Sequence, residues 1–394
     1  MKCYCVVNFR QPLEEMNPPT PTPQGTQVLL KVRAAGVCHS DIHLWEGGYD
    51  LGQGRTLSLK DRGVSLPLTM GHETVGAVVA AGPEAQGLAP DRNYLVYPWI
   101  GCGKCAPCLA GMENHCSAPA CLGVHRAGGY ADHILVPHPR YLIDIGDLDP
   151  AQIAPYACSG LTTYAALKKI GADVYREHPV VIFGAGGLGL MSLTVLKALG
   201  GAGAIMVDID PAKRQAALDA GAAHAFAADA HMPQAVKAAS QGHGADVVLD
   251  AVGGDAFEHS VRAAAANARM VSVGFASGRI PDVPLNLLLV KNIALHGFFF
   301  GRYIGWTPAD ERIVHAPAVQ RTMSTLFDWA RRQRIRPAVT AIYPITGLAA
   351  ALAALESRQV VGKVAITITT ETTPCVPTTS GAPPGRAAPA QRSM

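Results

Sequence analysis

The sequence predicts an α/β fold in which a β-rich region is followed by a doubly wound parallel sheet. From residue 1 to about residue 155, short apolar runs are separated by prolines and glycines, a pattern typical of many short strands. After that point buried strands alternate with helical segments, the rhythm of a parallel sheet with helices on both faces. A glycine-rich turn after one of these strands marks the edge at which such sheets bind ligands.

The length and composition indicate a soluble protein with two domains. At 394 residues the chain is longer than one hydrophobic core normally serves. Hydrophobic residues make up 49% of the chain and charged residues 16%, as in globular proteins with a large buried volume. Because the net charge is only +3 and the lysines and arginines are scattered, we do not expect a nucleic-acid partner.

The beginning of the chain and its cysteines indicate a reducing compartment. Met1–Val7 passes directly into a strand-like pattern, without the regions of a signal peptide. Ten cysteines in such a chain more often bind metal than form disulfides. The most apolar window, Val180–Leu196, is interpreted as a buried strand and helix, so no membrane partner is expected. The predicted location is the cytoplasm.

Two cysteines and a histidine from separate segments have the side chains of a metal site. Cys38 lies in Gly36–His43, which also holds a hydroxyl and two imidazoles and follows the strand-like run Val28–Ala34. His72 and Cys158 stand further along the chain. A Cys-His-Cys set can bind Zn²⁺ and leave the fourth position for water or substrate. Each residue alone would more often be a packing residue, so the prediction depends on all three meeting.

A second set of thiols stands close together in the sequence, at Cys102, Cys105, Cys108 and Cys116. Four thiolates with this spacing can surround one Zn²⁺ as a tetrahedron and leave no position free for chemistry. The alternative is an iron–sulfur cluster, which also uses Cys-x2-Cys-x2-Cys, but the usual fourth cysteine and proline are missing from the local run. We therefore predict a structural zinc site.

The glycine-rich segment Gly184–Gly189 directly follows the strand-like run Pro179–Phe183. Its glycines permit a tight turn and the close approach of backbone to a pyrophosphate, and the N-terminus of the next helix favours the phosphate charge. Asp208 stands at the end of the next strand, Ala204–Val207. A carboxylate there can accept hydrogen bonds from both adenosine ribose hydroxyls and repels a 2′-phosphate, which favours NAD over NADP. The alternative is that Asp208 caps the helix beginning at Pro211.

Strands and helices continue to alternate to about residue 295. The further predicted helices and strands are Cys158–Ile170, Pro211–Ala220, Asp246–Leu249, Phe257–Ala266 and Met270–Val273. An apolar run at Ile293–Phe300, a helix around Val319–Gln333 and a last strand at Lys363–Ile368 follow. Residues 369–394 are rich in Thr, Pro, Ala and Gly and are predicted to be a disordered tail, in which Cys375 has no role.

Together these motifs resemble the zinc-dependent alcohol dehydrogenases of the medium-chain dehydrogenase/reductase superfamily, over roughly residues 1–368. The segment around Cys38 is particularly similar to bacterial and archaeal members that keep Cys-His-Ser-Asp-x-His. The resemblance implies a GroES-like zinc-binding catalytic domain formed by residues 1–155 and 296–368. A Rossmann NAD-binding domain, residues 156–295, would be inserted between them, with the active site in the cleft.

The resemblance also implies roles for individual residues. The catalytic zinc would be bound by Cys38, His72 and Cys158, with Glu73 able to approach it, and the structural zinc by Cys102, Cys105, Cys108 and Cys116. A proton relay would run through Ser40 and His43, while Asp41 orients His72. The positions matched to NAD contacts are His39, Thr162, Gly184, Gly186, Gly187, Leu188, Gly189, Asp208, Lys213 and Val273.

The implied reaction is the reversible oxidation of a primary or secondary alcohol to an aldehyde or ketone with NAD⁺. A zinc ion acts as a Lewis acid on the alcohol, and the proton leaves by a hydroxyl and an imidazole. Three alternatives stay open: a polyol, amino-alcohol or aromatic-alcohol dehydrogenase, an NADPH-preferring aldehyde reductase, and a non-catalytic nucleotide-binding protein. The resemblance also implies a homodimer or homotetramer, while the individual substrate is not predicted.

Four features depart from the family pattern or have no assigned role. Lys363 stands where an arginine commonly meets the pyrophosphate, which keeps the charge but loses the bidentate fork. Cys121 and Val124 replace bulkier residues and predict a wide pocket. The polar segment Gly47–Lys60 is interpreted as a surface loop, with a cover over the cleft as the alternative. Candidates for the pocket walls are Trp99, Phe298 and Phe299.

Overall fold

A computed structural model describes residues 1–110, 113, 116–298, 315–335 and 339–368 of the protein. The predicted tail, with Cys375, and the candidate wall residue Phe299 lie outside these residues. No helix in the described ranges is long and apolar enough to cross a bilayer.

A parallel sheet of six strands occupies the second half of the described chain. In spatial order its strands are His224–Phe226, Ala204–Val207, Val180–Phe183, Ala245–Asp250, Ala264–Ser272 and Ala294–Gly297. Val180–Phe183 and its neighbour Ala204–Val207 are buried along their whole length, as expected for strands covered on both faces. The strand order reverses beside Val180–Phe183, so the ligand-binding edge of the sheet lies at Gly184. The predicted doubly wound sheet is confirmed.

Four helices that accompany this sheet lie close to their predicted positions: Ser159–Ile170, Gly187–Ala198, Pro211–Asp219 and Ala256–Ala263. The sequence did not predict the helices Ala172–Tyr175, Met232–Ala239 and Leu285–Lys291. Leu190, Leu193 and Leu196 recur at helical spacing and are buried, because this face of Gly187–Ala198 lies in the core. The strand His224–Phe226 was not predicted, and the strand predicted at Met270–Val273 begins earlier, at Ala264. The prediction missed its alanine-rich first half, which has low strand propensity but pairs with Ala245.

A mixed sheet of seven strands combines five strands from the first half of the chain with two from its C-terminal part. Six of them follow in the order Leu142–Asp144, Asn93–Val96, Glu73–Ala81, Val28–Val37, Lys363–Thr367 and Val339–Pro344, and His133–Val136 also pairs with Val28–Val37. A smaller sheet consists of Glu14–Met16, Cys3–Val6 and Leu68–Thr69. The remaining helices are His39–Glu46, Ala106–Leu109, Pro150–Ile153, His315–Arg331 and Leu348–Glu356, with single 3-10 turns at Lys60–Arg62, Pro139–Tyr141, Ala154–Ala157 and Ile345–Gly347.

The C-terminal strand returns to the sheet of the first half. Lys363–Thr367 pairs antiparallel with the end of Val28–Val37, with Val364 opposite Val37. This pairing places Lys363 beside the residue that precedes Cys38. The predicted domain boundaries stay a prediction. The boundary predicted between residues 295 and 296 falls within the strand Ala294–Gly297 of the parallel sheet.

The segment Gly47–Lys60 is a β-hairpin, which corrects its interpretation as a plain surface loop. Its strands are Gly48–Asp50 and Thr56–Ser58. The Asp50 amide donates to the carbonyl of Gly278 at 3.0 Å, and the amide of Ile280 donates to the carbonyl of Asp50 at 2.9 Å. The hairpin therefore reaches from the first half of the chain to the loop after Ala264–Ser272, as the alternative of a cover would require.

Candidate active site

A cleft of about 2160 Å³ is lined by residues of both sheets. Cys38 and Cys158 line it on one side, and Gly186 and Asp208 line it on the other. The predicted metal ligands and the predicted nucleotide loop thus share one cavity. Clefts at the switch point of a parallel sheet are where dinucleotides bind.

Four potential metal ligands meet at the floor of this cleft. One ligand atom from each of Cys38, His72, Glu73 and Cys158 lies within 4.8 Å of the others. His72 Nε2 and Glu73 Oε2 are both buried and have no hydrogen-bond partner. Buried polar atoms without a partner are rare in proteins, so these two suit a cation. Two sulfurs, an imidazole and a carboxylate oxygen form a donor set that fits Zn²⁺.

The charges of these ligands depend strongly on one another. A hydrogen bond from the thiol of Cys158 is the main cause that holds the pKa of Cys38 well below its ordinary value. Burial raises the pKa of the Glu73 carboxyl to about 7, against the effect of Lys363. Burial would lower the pKa of His72, but the Asp41 carboxylate raises it well above the ordinary value. The group therefore contains one thiolate that is stabilised even without a cation.

A buried carboxylate, that of Asp41, contacts the imidazole of His72. His72 Nδ1 lies 3.2 Å from Asp41 Oδ1, which leaves Nε2 for a metal. The other oxygen, Oδ2, accepts hydrogen bonds from the Cys38 amide at 2.9 Å and from the Tyr130 hydroxyl at 2.8 Å. Sequence reasoning missed Tyr130, because nothing local to it marks a contact with a residue so far away in the chain.

The structure gives Lys363 a partner that the sequence did not predict. Its ammonium donates to Glu73 Oε1 at 2.8 Å and to the carbonyl of Val37 at 3.1 Å. Although burial opposes it, the negative charges of Cys38 and Glu73 raise the pKa of Lys363. A Cβ atom on Gly187 would collide with the aliphatic part of this side chain. Lys363 therefore lies between the glycine-rich segment and the metal ligands.

The second cysteine cluster is also assembled. One sulfur from each of Cys102, Cys105, Cys108 and Cys116 lies within 4.8 Å of the others. Backbone hydrogen bonds from Lys104 and Cys105 lower the pKa of Cys102 to about 6. Glu113 joins this lobe to the rest of the fold, since it accepts from the amide of Gly101 and the hydroxyl of Tyr141 at 2.8 and 2.7 Å. Four sulfurs at one point are the ligands of a closed structural zinc site.

The glycine-rich segment has the geometry expected of a phosphate loop. Gly184 has a φ of +92°, which an L side chain rarely adopts, and a Cβ atom on Gly189 would collide with the Gly184 carbonyl. Asp208 Oδ2 accepts from the amide of Ala185 at 2.7 Å. The helix Pro211–Asp219 is capped by Asp210, so the alternative role of Asp208 as its cap is wrong.

All predicted cofactor residues line the cleft: His39, Thr162, Gly184, Gly186, Gly187, Leu188, Gly189, Asp208, Lys213 and Val273. Thr162 Oγ1 is buried and has no hydrogen-bond partner. Burial lowers the pKa of His39 to about 4. The cleft therefore offers an unpaired hydroxyl and a glycine loop to a nucleotide.

The two predicted relay residues lie on the helix His39–Glu46 and line the same cleft. Ser40 Oγ is 3.8 Å from Cys38 Sγ. His43 is only 5% exposed, so the alternative of a surface histidine is wrong. Its Nδ1 lies 3.2 Å from Glu46 Oε2, while Nε2 is buried without a partner.

The remaining wall of the cleft is mostly apolar. The ring centroid of Trp99 is 5.3 Å from that of His72, and its Nε1 donates to the carbonyl of Ala157 at 3.1 Å. Small or branched side chains stand where the sequence predicted a wide pocket. Of the candidate wall residues, Trp99 and Phe298 line the cleft, and so do Cys121 and Val124. Sequence reasoning missed the lining residues Tyr49, Leu57, Leu59, Val64 and Phe275.

Comparison with known proteins gives consistent matches. Residues 24–147 match the alcohol dehydrogenase GroES-like domain, and residues 187–315 match the zinc-binding dehydrogenase family. A NAD-dependent alcohol dehydrogenase of Sulfolobus acidocaldarius is 30% identical over 94% of this chain and 100% of its own length. One from Sulfurisphaera tokodaii is 39% identical over 64% of this chain and 71% of its own length. The structure of the Aeropyrum pernix alcohol dehydrogenase matches with a TM-score of 0.79 and 25% identity, over 93% of this chain and 100% of that one.

Proposed function

The chain belongs to the zinc-dependent alcohol dehydrogenases of the medium-chain dehydrogenase/reductase superfamily, and we propose that it oxidises primary or secondary alcohols to aldehydes or ketones with NAD⁺. The reaction is reversible hydride transfer. One observation carries the proposal: Cys38, His72 and Cys158 converge in the cleft that the glycine-rich segment also lines. A non-catalytic nucleotide-binding protein would have no use for an unpaired imidazole nitrogen buried at that point.

The proposed metal ligands are Cys38, His72 and Cys158, with Glu73 within reach of the same ion. A zinc ion held there would supply Lewis-acid catalysis, which makes an alcohol hydroxyl easier to deprotonate. Asp41 keeps His72 Nε2 facing the ion. Lys363 balances the charge of Glu73 Oε1, so Oε2 is the carboxylate oxygen that stays free.

The proposed proton path starts at Ser40 and ends at His43. Both residues line the cleft on the helix that begins directly after Cys38. The hydroxyl of Ser40 can take the alcohol proton and donate one in the direction of His43, and an imidazole can accept a proton near neutral pH. An NAD held in the cleft would supply ribose hydroxyls for the same hydrogen-bonded path. The largely apolar walls exclude water from the hydride, so the proton needs this polar route.

We expect the protein to oxidise alcohols with NAD⁺ in preference to NADP⁺. The carboxylate of Asp208 would accept hydrogen bonds from the adenosine ribose and repel a 2′-phosphate. In Asp208→Asn the amide oxygen can still accept from the Ala185 amide, so the loop is kept while the charge is lost. We expect the ratio of kcat/KM for NAD⁺ to that for NADP⁺ to fall at least about tenfold, since hydrogen bonds to a charged group contribute about 1.5–3 kcal/mol.

The measurement is the rate of NADH or NADPH formation with primary, secondary, aromatic and polyol alcohols. Asp219→Ser removes a carboxylate from the far end of the helix Pro211–Asp219 and serves as the control. No turnover of any alcohol with either cofactor would contradict the proposed reaction. Equal use of both cofactors by the wild type would contradict the role of Asp208 alone.

We further propose that residues 1–155 and 296–368 act as the catalytic domain around residues 156–295, and that the protein works in the cytoplasm. None of the nine cysteines of the described ranges is in a disulfide, which agrees with a reducing compartment. The metal ligands come from the first region and the first turn of the second, while the nucleotide loop comes from the second. Catalysis would therefore take place between them.

We expect the protein to form a homodimer or homotetramer through the edge of its parallel sheet. The helix Leu285–Lys291 exposes Leu285, Leu289 and Val290 by 70%, 77% and 72%. The neighbouring strand Ala294–Gly297 is the outermost strand that the structure describes at this side of the sheet. Exposed apolar side chains beside an unpaired strand edge are typical of a subunit interface. Leu289→Lys should therefore lower the molar mass measured by light scattering, whereas Leu109→Lys, at a residue 75% exposed in the cysteine lobe, should not. An unchanged mass in Leu289→Lys would contradict this interface.

A further inference from the structure

His43 is enclosed to a degree that the proposed proton path does not explain. Its side chain is 7% exposed, and Tyr49 packs against its ring with centroids 4.5 Å apart. Gly278 also lies beside the imidazole, since a Cβ atom added to it would be 3.7 Å from His43 Cε1, an ordinary van der Waals contact. The ring therefore has little contact with bulk water, and the groups that touch it influence its protonation.

Glu46 is the charged group that touches this ring. Glu46 Oε2 lies 3.2 Å from His43 Nδ1, one helical turn further along the helix His39–Glu46. The Glu46 side chain is 26% exposed, so it can keep its charge by contact with water while it contacts the buried ring. The other ionisable side chains with rings near His43 are Tyr49 and His39, the latter with its ring centroid 6.4 Å away.

We propose that Glu46 is a positioning residue of the proton relay, which fixes the tautomer of His43 and stabilises its protonated form. A carboxylate only accepts hydrogen bonds, so the hydrogen atom must stand on Nδ1. Nε2 then carries the free lone pair, and Nε2 is the buried ring atom that has no partner. Without Glu46 either nitrogen could carry the hydrogen, and a ring with hydrogen on Nε2 could not accept a proton there.

The step that Glu46 assists is the arrival of the substrate proton, so this proposal rests on the proposed function. The proton lost by the alcohol hydroxyl is transferred to Nε2 of neutral His43, which becomes an imidazolium with hydrogen on both nitrogens. The pair of His43 and Glu46 changes from a net charge of −1 to zero. A positive charge in an enclosed site is costly unless an anion stands beside it, and Glu46 provides that anion. The imidazolium returns its proton to water before the next turnover.

The tautomer can be tested without any turnover. In protein labelled with ¹⁵N-histidine, a two-bond ¹H–¹⁵N spectrum distinguishes hydrogen on Nδ1 from hydrogen on Nε2, and the signals that disappear in His43→Asn identify this ring. We expect the Nδ1–H form in the wild type and in Glu258→Ala, which removes a glutamate from an exposed helical pair elsewhere. We expect a mixture of tautomers in Glu46→Ala. An Nε2–H ring in the wild type, or the same tautomer in Glu46→Ala, would overturn the proposal.

The second measurement is a double-mutant cycle on alcohol oxidation. We expect Glu46→Ala to lower kcat about tenfold with the KM for NAD⁺ changed less than about twofold, because it removes part of an acid–base effect. In the His43→Asn background the same substitution should have no further effect, since Glu46 acts only through the ring. An equal loss in both backgrounds would overturn the proposal. If the wild type oxidises no alcohol, the proposed function fails, while the spectrum still decides whether Glu46 sets the tautomer.

Discussion

Replacing His72 with alanine is expected to lower the kcat of alcohol oxidation by about three orders of magnitude or more. The substitution removes the only imidazole among the four ligands that meet in the cleft within the described chain. A Lewis-acid metal contributes several kcal/mol of transition-state stabilisation, and each 1.36 kcal/mol corresponds to about a tenfold change in rate. Cys38→Ser should have an effect of similar size, because a hydroxyl is a poorer ligand for zinc than a thiolate. The measurements are kcat and the zinc content per chain.

The fold should survive the loss of His72. Its side chain is buried, but its partner Asp41 keeps hydrogen bonds from Tyr130 and from the Cys38 amide. The circular dichroism spectrum should therefore match that of the wild type, and one zinc should remain in the four-cysteine lobe. His133→Ala removes a partly buried histidine that is paired with Asp132 away from the cleft, and it should keep full activity. Turnover that is unchanged in His72→Ala would exclude this histidine as a ligand and with it the proposed centre.

The nucleotide side of the cleft could be predicted from the sequence because its signals are local. A strand, a glycine segment and an acidic residue at the end of the next strand follow one another within one βαβ unit, which constrains where they lie in space. The carboxylate of Asp208 indeed accepts a hydrogen bond from the amide of Ala185 in the glycine segment. The four cysteines of the lobe are equally local, since all of them lie between residues 102 and 116.

The environment of the metal ligands could not be predicted, because it depends on the register between distant strands. Glu73 lies opposite Gly36, and Val364 lies opposite Val37, in the two ladders on either side of Val28–Val37. This register brings the ammonium of Lys363 to Glu73, and neither residue alone indicates it. A Cβ atom at Gly36 would collide with the Glu73 carboxylate, so the glycine serves this contact. Strand pairing between the two ends of a chain leaves no periodic signal that a single sequence would show.

The cover of the cleft was predicted only as an alternative, for a related reason. Gly47–Lys60 has the polar, glycine-rich composition of a surface loop, and residues 53–56 at its tip are indeed exposed. Its inner side chains Tyr49 and Leu57 nevertheless face the cleft. The contact that holds the hairpin in place is made by backbone atoms of Asp50, Gly278 and Ile280. Backbone hydrogen bonds can form whatever the side chain is, so the composition of the segment could not predict them.

The four-cysteine lobe stands close enough to the cleft for its metal to matter to catalysis as well as to stability. Cys116, one of the four ligands of the lobe, lines the cavity together with Cys121. Besides the sulfurs, the lobe is held by two hydrogen bonds that the Glu113 carboxylate accepts from the Gly101 amide and the Tyr141 hydroxyl. Loss of the metal would leave four thiols at a distance at which they repel one another once ionised. The lobe would then open, and the cleft wall next to it would lose its shape.

Cys108→Ser should therefore lower both the zinc content, by one ion per chain, and the thermal stability. Cys108 is the more buried of the first three ligands, and burial raises the pKa of its thiol to about 12, so only a bound cation would keep it as a thiolate. Structural zinc contributes folding free energy directly, and a loss of several kcal/mol would lower Tm by roughly 10 °C at about 2–4 °C per kcal/mol. The KM for alcohol should rise more than that for NAD⁺, because the lobe adjoins the pocket and not the glycine segment. Cys3→Ser, at a buried thiol outside both clusters, is the control and should lose no zinc. A Cys108→Ser protein that keeps two zinc ions per chain and an unchanged Tm would show that the four sulfurs do not hold a structural metal.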